Sequence, residues 1–261
     1  MRIGAKLPNS GPLPFEFGIP AMARTFEEAG FDSLWVSDHI VFPREIRSRY
    51  PFAADGRATW STDMPWFDAV VALALAAAVT ERVRLGTAVL VLPLRQPIEF
   101  AKQAASIDAA SGGRLELGVG AGWLEEEFDA LGVPFAERGR RLDDGLRIAR
   151  ECWTGEHGDL LAYPTPAHPI PVLIGGHSEA ALRRARSLDG WLAQQSADAL
   201  DPEALAGKAP RIVLRIVQSF GRPELVAERL RELAEAGVDE VIVDVDPADA
   251  ERAHGVLRGA V

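Results

Sequence analysis

A histidine stands directly after an aspartate at the point where a predicted strand ends. Residues 31–36 form that strand, and Ser37 connects it to Asp38 and His39. An imidazole in this position can donate or accept a proton near neutral pH. Asp38 can instead cap the following turn by accepting hydrogen bonds from backbone N–H groups. The pair therefore predicts either a proton-transfer site or a turn cap.

The stretch Gly175-Gly176-His177-Ser178 precedes a predicted helix and is the best candidate for an anion site. Free N–H groups at a helix N-terminus and the helix dipole both favour a phosphate group at such a position. Arg183 and Arg184 follow on the same helix. They either approach a charged ligand or form a solvated face of the helix.

Three glycines in alternation, Gly118, Gly120 and Gly122, lie where a predicted strand at 115–119 meets an acidic segment. Because glycine lets the backbone come close to a flat ligand, a ligand-contacting turn is predicted here. The dinucleotide fingerprint Gly-x-Gly-x-x-Gly is absent. The alternative is a turn that serves packing only.

These segments recur in a regular order, in which short apolar strands alternate with about eight helices. Eight such strands in a chain of 261 residues predict an α/β fold, a (β/α)8 TIM barrel that forms a single domain over residues 1–261. A doubly wound open sheet is the alternative. Residues 42–63 are irregular, as in a functional lid or a disordered loop. The predicted strands are residues 3–7, 31–36, 83–92, 115–119, 171–174, 189–193, 212–217 and 241–245. Among the segments between them, residues 65–79 and 223–236 are each predicted to form a helix, and residues 154–169 a loop.

Ligands bind at the C-terminal ends of the strands in such a barrel. By this assignment the strand ends carry no lysine, which argues against a Schiff-base aldolase. Their histidines and aspartates are scattered, which argues against a metal site, so none is predicted. The strand-end residues are Leu7 and Pro8, Asp38 and His39, residues 87–89, 120–126, 175–178 and 194–196, Gln218, Asp244 and Asp246.

Charge and cysteine usage restrict the possible partners and compartment. The formal net charge is −10, which argues against nucleic acid or an acidic membrane as a partner. Cys152 is the single cysteine and is expected to be buried, which fits a reducing cytosol. The longest apolar run, residues 69–79, is too short to span a bilayer. We expect a cytoplasmic protein that binds small molecules.

Several stretches of the chain resemble the bacterial luciferase-like superfamily of flavin and deazaflavin oxidoreductases. The resemblance covers nearly the whole chain. Residues 120–128 with Leu131-Gly-Val-Pro134 are similar to the branch that uses coenzyme F-420, a 5-deazaflavin hydride carrier. The matching stretches are residues 28–39, 80–89, 94–97, 111–128, 171–176, 189–191 and 237–239.

The resemblance implies a role for each matching residue. Asp38 would contact the edge of the deazaflavin ring, and His39 would face the reacting centre as a proton donor or oxyanion partner. A non-prolyl cis peptide is expected at Ala88-Val89, where it would bulge behind the ring. The residues predicted to contact the cofactor are Asp38, Ala88, Val89, Gly120, Gly122, Gly175, Gly176, His177, Ser178 and Gln194.

One departure concerns an acidic residue that sugar-phosphate dehydrogenases of this superfamily carry after the fourth strand. Trp123 occupies that position here, with Glu125 or Glu126 as the substitute acid. The resemblance also implies a homodimer.

The expected activity is hydride transfer between C5 of coenzyme F-420 and a small organic substrate. One alternative is an FMN-dependent luciferase-like monooxygenase on the same barrel. Another is a protein that binds a flavin without turnover, as a carrier or sensor. In each case residues 42–63 would shape the substrate site.

Overall fold

Ten strands are present in the computed structural model of the protein, which describes residues 1–53, 55–58 and 60–261. They are β1 (Arg2–Lys6), β2 (Ser33–Val36), β3 (Arg84–Val91), β4 (Leu115–Gly120), β5 (Glu156–His157), β6 (Leu160–Leu161), β7 (Val172–Gly175), β8 (Trp191–Ser196), β9 (Ile212–Val217) and β10 (Glu240–Asp244). Eight of these described strands form a closed barrel in the order β1-β10-β9-β8-β7-β4-β3-β2. All neighbours in the barrel are parallel, and β1 also pairs with β2. The predicted TIM barrel is confirmed, and the open sheet is wrong.

The helices surround this barrel and pack on its outer face. Within the described part of the chain, no helix has the length and apolarity that a bilayer crossing requires. The α-helices are α1 (Leu13–Glu16), α2 (Ile19–Ala29), α3 (Ala69–Ala77), α4 (Pro97–Ser111), α5 (Glu125–Ala130), α6 (Arg138–Cys152), α7 (Glu179–Ser187), α8 (Pro223–Ala227), α9 (Leu230–Glu235) and α10 (Ala250–Arg258).

Three predicted segments differ from the structure. The single helix expected at 223–236 is two helices, α8 and α9, because the chain makes a turn at Glu228 and Arg229. The helix expected at 65–79 begins only at Ala69, where the Asp68 side chain accepts hydrogen bonds from two backbone N–H groups. The loop expected at 154–169 contains the antiparallel hairpin β5–β6.

An indole ring fills the middle of the barrel. Trp35 is fully buried there and packs in one cluster with Leu173, Leu192, Val213 and Ile242. A Cβ atom on Gly86 of the neighbouring strand would lie 2.4 Å from the Trp35 ring. Glycine at position 86 therefore makes room for the indole.

Buried charges close the N-terminal end of the barrel. Glu116 and Glu240 are 2% and 0% exposed. The Arg84 guanidinium bridges them, at 3.0 Å from Glu116 Oε2 and 2.7 Å from Glu240 Oε2. Arg211 adds a second contact to both carboxylates. Since buried carboxylates are tolerated only when they are paired, this network seals one end and leaves the opposite end for a ligand.

Candidate functional site

A cavity of about 1440 Å³ opens at the C-terminal ends of the barrel strands. Asp38 and the Gly175-Gly176 turn, which the sequence analysis places at one ligand, lie in this same cavity. Its wall includes every predicted site residue, namely Asp38, His39, Ala88, Val89, Gly120, Gly122, Gly175, Gly176, His177, Ser178 and Gln194. The barrel therefore brings these distant segments together, as the strand assignment requires.

His39 is held by the carboxylate of Glu127, a residue outside the predicted site. Its Nδ1 lies 3.0 Å from Oε2 of Glu127, whose side chain is 1% exposed. The other oxygen, Oε1, accepts hydrogen bonds from the N–H groups of Ile40 at 2.6 Å and Val41 at 3.3 Å. Because an ionised carboxylate only accepts hydrogen bonds, the Nδ1 atom of His39 carries a proton. This leaves Nε2 as the ring nitrogen that can exchange a proton, and the catalytic role of His39 stays a prediction.

Aromatic rings surround the imidazole of His39. Its ring centroid lies 4.5 Å from that of Phe42, 5.1 Å from Trp66 and 6.0 Å from Trp123. Trp60 is also in contact, at 6.3 Å. The apolar rings leave the His39 side chain only 8% exposed, so water has little access to it.

Asp38 joins the ends of two strands. Its Oδ2 accepts the N–H of Val91 at 2.9 Å, and its Oδ1 lies 2.6 Å from Nη2 of Arg95. Burial raises the pKa of the Asp38 carboxyl, and the Arg95 guanidinium opposes this effect. The Asp38 carboxylate therefore accepts a hydrogen bond from the backbone of β3 and does not cap the turn that follows it. Its contact with a cofactor ring stays a prediction.

The back wall of the cavity is formed by residues of three neighbouring strands, β3, β4 and β7. The peptide bond between Ala88 and Val89 is cis, which confirms that expectation. The register between β3 and β4 shifts between Thr87 and Leu90, so β3 bulges at this point. A Cβ atom on Gly120 would lie 2.9 Å from Val89 Cγ2, and one on Gly175 would lie 2.5 Å from Val89 Cγ1. Both glycines are thus needed for strands to pack beside the bulge.

The turn at residues 175–178 borders the same wall. The Ser178 hydroxyl accepts the N–H of Ala181 at 3.2 Å and caps α7. His177 accepts the backbone N–H of Gln194 on Nε2 at 3.1 Å, and partial burial lowers the pKa of its imidazole. His177 therefore fixes the turn to β8 as a neutral ring.

Arg183 and Arg184 of α7 point in different directions. Arg184 lines the cavity and is paired with Asp143 at 2.7 Å. Arg183 points to solvent. Arg138, from α6, also lines the cavity and stacks 3.9 Å from the centre of the Phe135 ring. This corner thus offers the N-terminus of α7 and the Arg138 guanidinium, whereas the charge of Arg184 is already paired with Asp143.

A lysine lies at the end of the first strand, so the assignment of strand ends without lysine is wrong. Lys6 is the last residue of β1, is 7% exposed and lines the cavity. Its neighbours there are Arg215 of β9 and Asp244 of β10, which form an ion pair. Across residues 1–53, 55–58 and 60–261, no three side chains of the metal-binding types are grouped as a metal site would require.

The segment at 42–63 covers the cavity, and its residues 54 and 59 lie outside the described part. Tyr50 accepts a hydrogen bond from Gln194 Nε2 at 3.1 Å. Glu126 accepts the N–H groups of Arg47 at 2.7 Å and Ser48 at 3.0 Å, and the Ser48 hydroxyl at 2.6 Å. Burial alone would raise the pKa of Glu126, but these hydrogen bonds lower it to about 2. The segment is thus fixed to β8 and to α5.

The acidic residue next to His39 comes from helix α5. Glu126 binds the covering segment, and Glu127 binds the imidazole. A sequence signal for Glu127 does exist, because it lies three residues after Leu124 and four residues before Leu131, on the same helical face as these two leucines. A carboxylate on the apolar face of a helix needs a buried partner.

Comparisons with known proteins agree with this geometry. A family model described as luciferase-like monooxygenase matches residues 18–212. An uncharacterized protein of Mycobacterium tuberculosis is 36% identical over 252 residues, which cover 88% of this chain and 85% of that protein. An F-420-dependent glucose-6-phosphate dehydrogenase of Nakamurella multipartita is 32% identical over 228 residues, which cover 77% of this chain and 59% of the relative.

A solved structure shares the whole fold. An F-420-dependent secondary alcohol dehydrogenase in complex with an F-420–acetone adduct superposes with a TM-score of 0.73 at 15% identity. The superposition covers 100% of this chain and 98% of the other. At this identity the likeness concerns the barrel alone.

Proposed function

Because the chain belongs to the luciferase-like monooxygenase family of flavin- and F-420-dependent oxidoreductases, we propose that it transfers a hydride between coenzyme F-420 and a small organic substrate. The observation that carries the proposal is the His39–Glu127 pair, an oriented imidazole on the wall of a large cavity. Such a pair suits proton transfer during turnover and so favours an enzyme over a carrier or sensor. The name of the dehydrogenase relative supports the choice of cofactor.

The residues of the cavity fit a planar ring with an anionic tail. Gly120, Val89 and Gly175 lie side by side in the cavity wall, and a Cβ atom at either glycine would collide with the valine. The turn at residues 175–178 offers N–H groups to a phosphate, next to Arg138 and Arg184. When bound, the deazaflavin supplies the hydride-carrying carbon, and the protein supplies orientation and a dry site.

The chain itself handles the proton of the reaction. Glu127 fixes the proton of His39 on Nδ1, so Nε2 is free to accept a proton from a substrate hydroxyl or to return one to a substrate oxygen. Phe42, Trp66 and Trp123 pack around the His39 ring and limit the access of water to its side chain. Proton transfer is therefore confined to the substrate and His39.

Titration with each cofactor tests the proposal directly. The protein is titrated with F-420 and, separately, with FMN, while ring fluorescence is followed. We expect tight binding of F-420. Tight binding of FMN together with none of F-420 would contradict the proposal and favour the monooxygenase.

Turnover is then measured with F-420 and a panel of small alcohols, aldehydes and ketones. We expect His39→Ala to abolish most of the activity and His157→Ala, on the distant hairpin β5–β6, to leave it intact. Unchanged reduction kinetics in His39→Ala would point to binding without turnover instead.

A further inference from the structure

The floor of the cavity holds two basic side chains and one acidic side chain. Three ionisable side chains lie there at the ends of adjacent strands, Lys6 on β1, Arg215 on β9 and Asp244 on β10. Nη2 of Arg215 is bonded to Oδ1 of Asp244, so this carboxylate is already neutralised. Lys6 is left as the surplus cation.

Among the described residues, Asp244 is the carboxylate that influences the pKa of Lys6, and no second carboxylate does so. Its Nζ donates to the carbonyl of Leu7 at 3.0 Å and to Oδ1 of Asn9 at 2.8 Å. From β2, its register partner is the apolar Trp35. Burial and, next, the Arg215 charge lower the pKa of Lys6 to about 7, while Asp244 acts in the opposite direction.

An ammonium group has three N–H donors, and the two neighbouring acceptors use two of them. The third donor has no acceptor among the described residues, although the side chain borders the cavity. A buried cation without a counterion is unfavourable, and a ligand that brings the missing negative charge removes this penalty.

We propose that Lys6 and Arg215 form a subsite for an oxyanion, a carboxylate or phosphate group, of the substrate. The inference rests on the proposed function in that the cavity must hold a substrate beside its cofactor. The subsite lies on the β1, β9 and β10 side of the barrel, whereas the cofactor turn at residues 175–178 belongs to β7 and α7.

The covering segment places a further donor above this subsite. Tyr50 accepts a hydrogen bond from Gln194, so its own hydroxyl proton is available to a ligand. Burial raises the pKa of Tyr50, and the nearby charge of Arg215 is among the influences that lower it. Tyr50 is thus close to Arg215 and stays protonated, as a donor to an anion must.

Binding of an anion at Lys6 is linked to protonation of Lys6. Since the anion stabilises the ammonium form, it raises the midpoint of titration, and binding weakens as the pH rises above 7. A rise of one pH unit in the midpoint corresponds to tenfold tighter binding to the ammonium form than to the amine.

The chain offers a direct measurement, because its lysines are only Lys6, Lys102 and Lys208. Protein labelled with ¹³C-lysine is titrated with alkali and followed by the Cε resonances, which the variants Lys6→Met and Lys102→Met assign. We expect the Lys6 resonance to titrate with a midpoint near 7. Sodium acetate and methyl phosphate are then added in separate experiments as the carboxylate and phosphate probes.

We expect at least one probe to raise the Lys6 midpoint by about one pH unit or more, and the stronger probe identifies the class of anion. Lys6→Met should bind that probe at least tenfold more weakly, and the exposed Lys102→Met should bind it as the native protein does. A Lys6 midpoint that neither probe moves would overturn the inference, even if Lys6→Met fails to fold.

The outcome is separable from that of the proposed function. F-420 binding in a protein whose Lys6 ignores both probes would remove the subsite and leave the hydride-transfer proposal standing. If the probes shift the Lys6 midpoint in a protein that does not bind F-420, the subsite stands and the hydride-transfer proposal falls.

Discussion

Replacing Glu127 with glutamine removes one charge next to His39 while keeping the size of the side chain. The carboxylate currently accepts three hydrogen bonds, from Nδ1 of His39 and from the N–H groups of Ile40 and Val41. In Glu127→Gln, the amide oxygen still satisfies the two backbone groups. Its NH₂ group then faces Nδ1 and needs an acceptor there, so the proton of the neutral imidazole moves to Nε2.

This change has a defined cost for the reaction. A hydrogen bond to a charged partner is worth about 1.5–3 kcal/mol, and here it supports the imidazole in the tautomer that leaves Nε2 free. Its loss lowers kcat by about 10- to 100-fold, since 1.4 kcal/mol is tenfold in rate. KM should change little, because the cavity wall is otherwise unaltered.

Two measurements check the prediction. Turnover with F-420 gives kcat and KM, and ¹⁵N NMR of histidine-labelled protein reports which ring nitrogen of His39 is protonated. The matched control is Glu125→Gln, a neighbour on the same helix whose backbone N–H, not its carboxylate, contacts Ser48.

The reasoning would be refuted by an unchanged tautomer in Glu127→Gln, or by a larger loss of kcat in Glu125→Gln. A merely structural role of Glu127 would lower stability without moving the imidazole proton.

Three further outcomes follow from the geometry. In Gly175→Ala, the new Cβ atom would lie 2.5 Å from Val89 and disturb the back wall of the cavity. Fluorescence titration should therefore show at least tenfold weaker F-420 binding (~1.4 kcal/mol). The control Gly255→Ala, whose Cβ atom would meet nothing within 4 Å, should bind F-420 as the native protein does. The pKa of Glu126 is lowered from 4.5 to about 2, so the hydrogen bonds of its carboxylate stabilise the fold fully above pH 4.5. This stabilisation is lost as the pH falls towards 2. The difference in Tm between the native protein and Glu126→Gln should therefore shrink between pH 4.5 and pH 2. Arg84→Met leaves two buried carboxylates short of a partner and should lower the free energy of unfolding in urea by about 3 kcal/mol; a loss below about 1 kcal/mol would contradict the sealing role of the network.

The barrel was predictable because its strands are short apolar runs with turn residues between them. Such runs reveal which segments are strands and in what order they come, and parallel β/α alternation then fixes which ends meet. That is why Asp38, Gly120 and Gly175 could be placed together from the sequence. The cis peptide at Ala88-Val89 came from the family resemblance rather than from any residue pattern.

Side-chain partners across the barrel were less accessible. Glu125, Glu126 and Glu127 are identical in type, and only the phase of a six-residue helix decides which of them faces His39. A shift of one residue in the end of β1 hid Lys6 from the set of strand-end residues. Strand boundaries are the least certain part of a sequence-based assignment. Arg95 was missed because its partner, Asp38, is 57 residues away.

Helix α5 binds two different parts of the site through consecutive residues. Glu126 fastens the covering segment at Arg47 and Ser48, and Glu127 orients His39. A displacement of this helix that breaks the Glu126 bonds to the covering segment would also move Glu127 away from the imidazole. Under the proposed function, opening the cavity would therefore also remove the group that orients His39. Redesign of the cover for bulkier molecules therefore has to leave positions 126 and 127 untouched, or it will change entry and proton transfer at once.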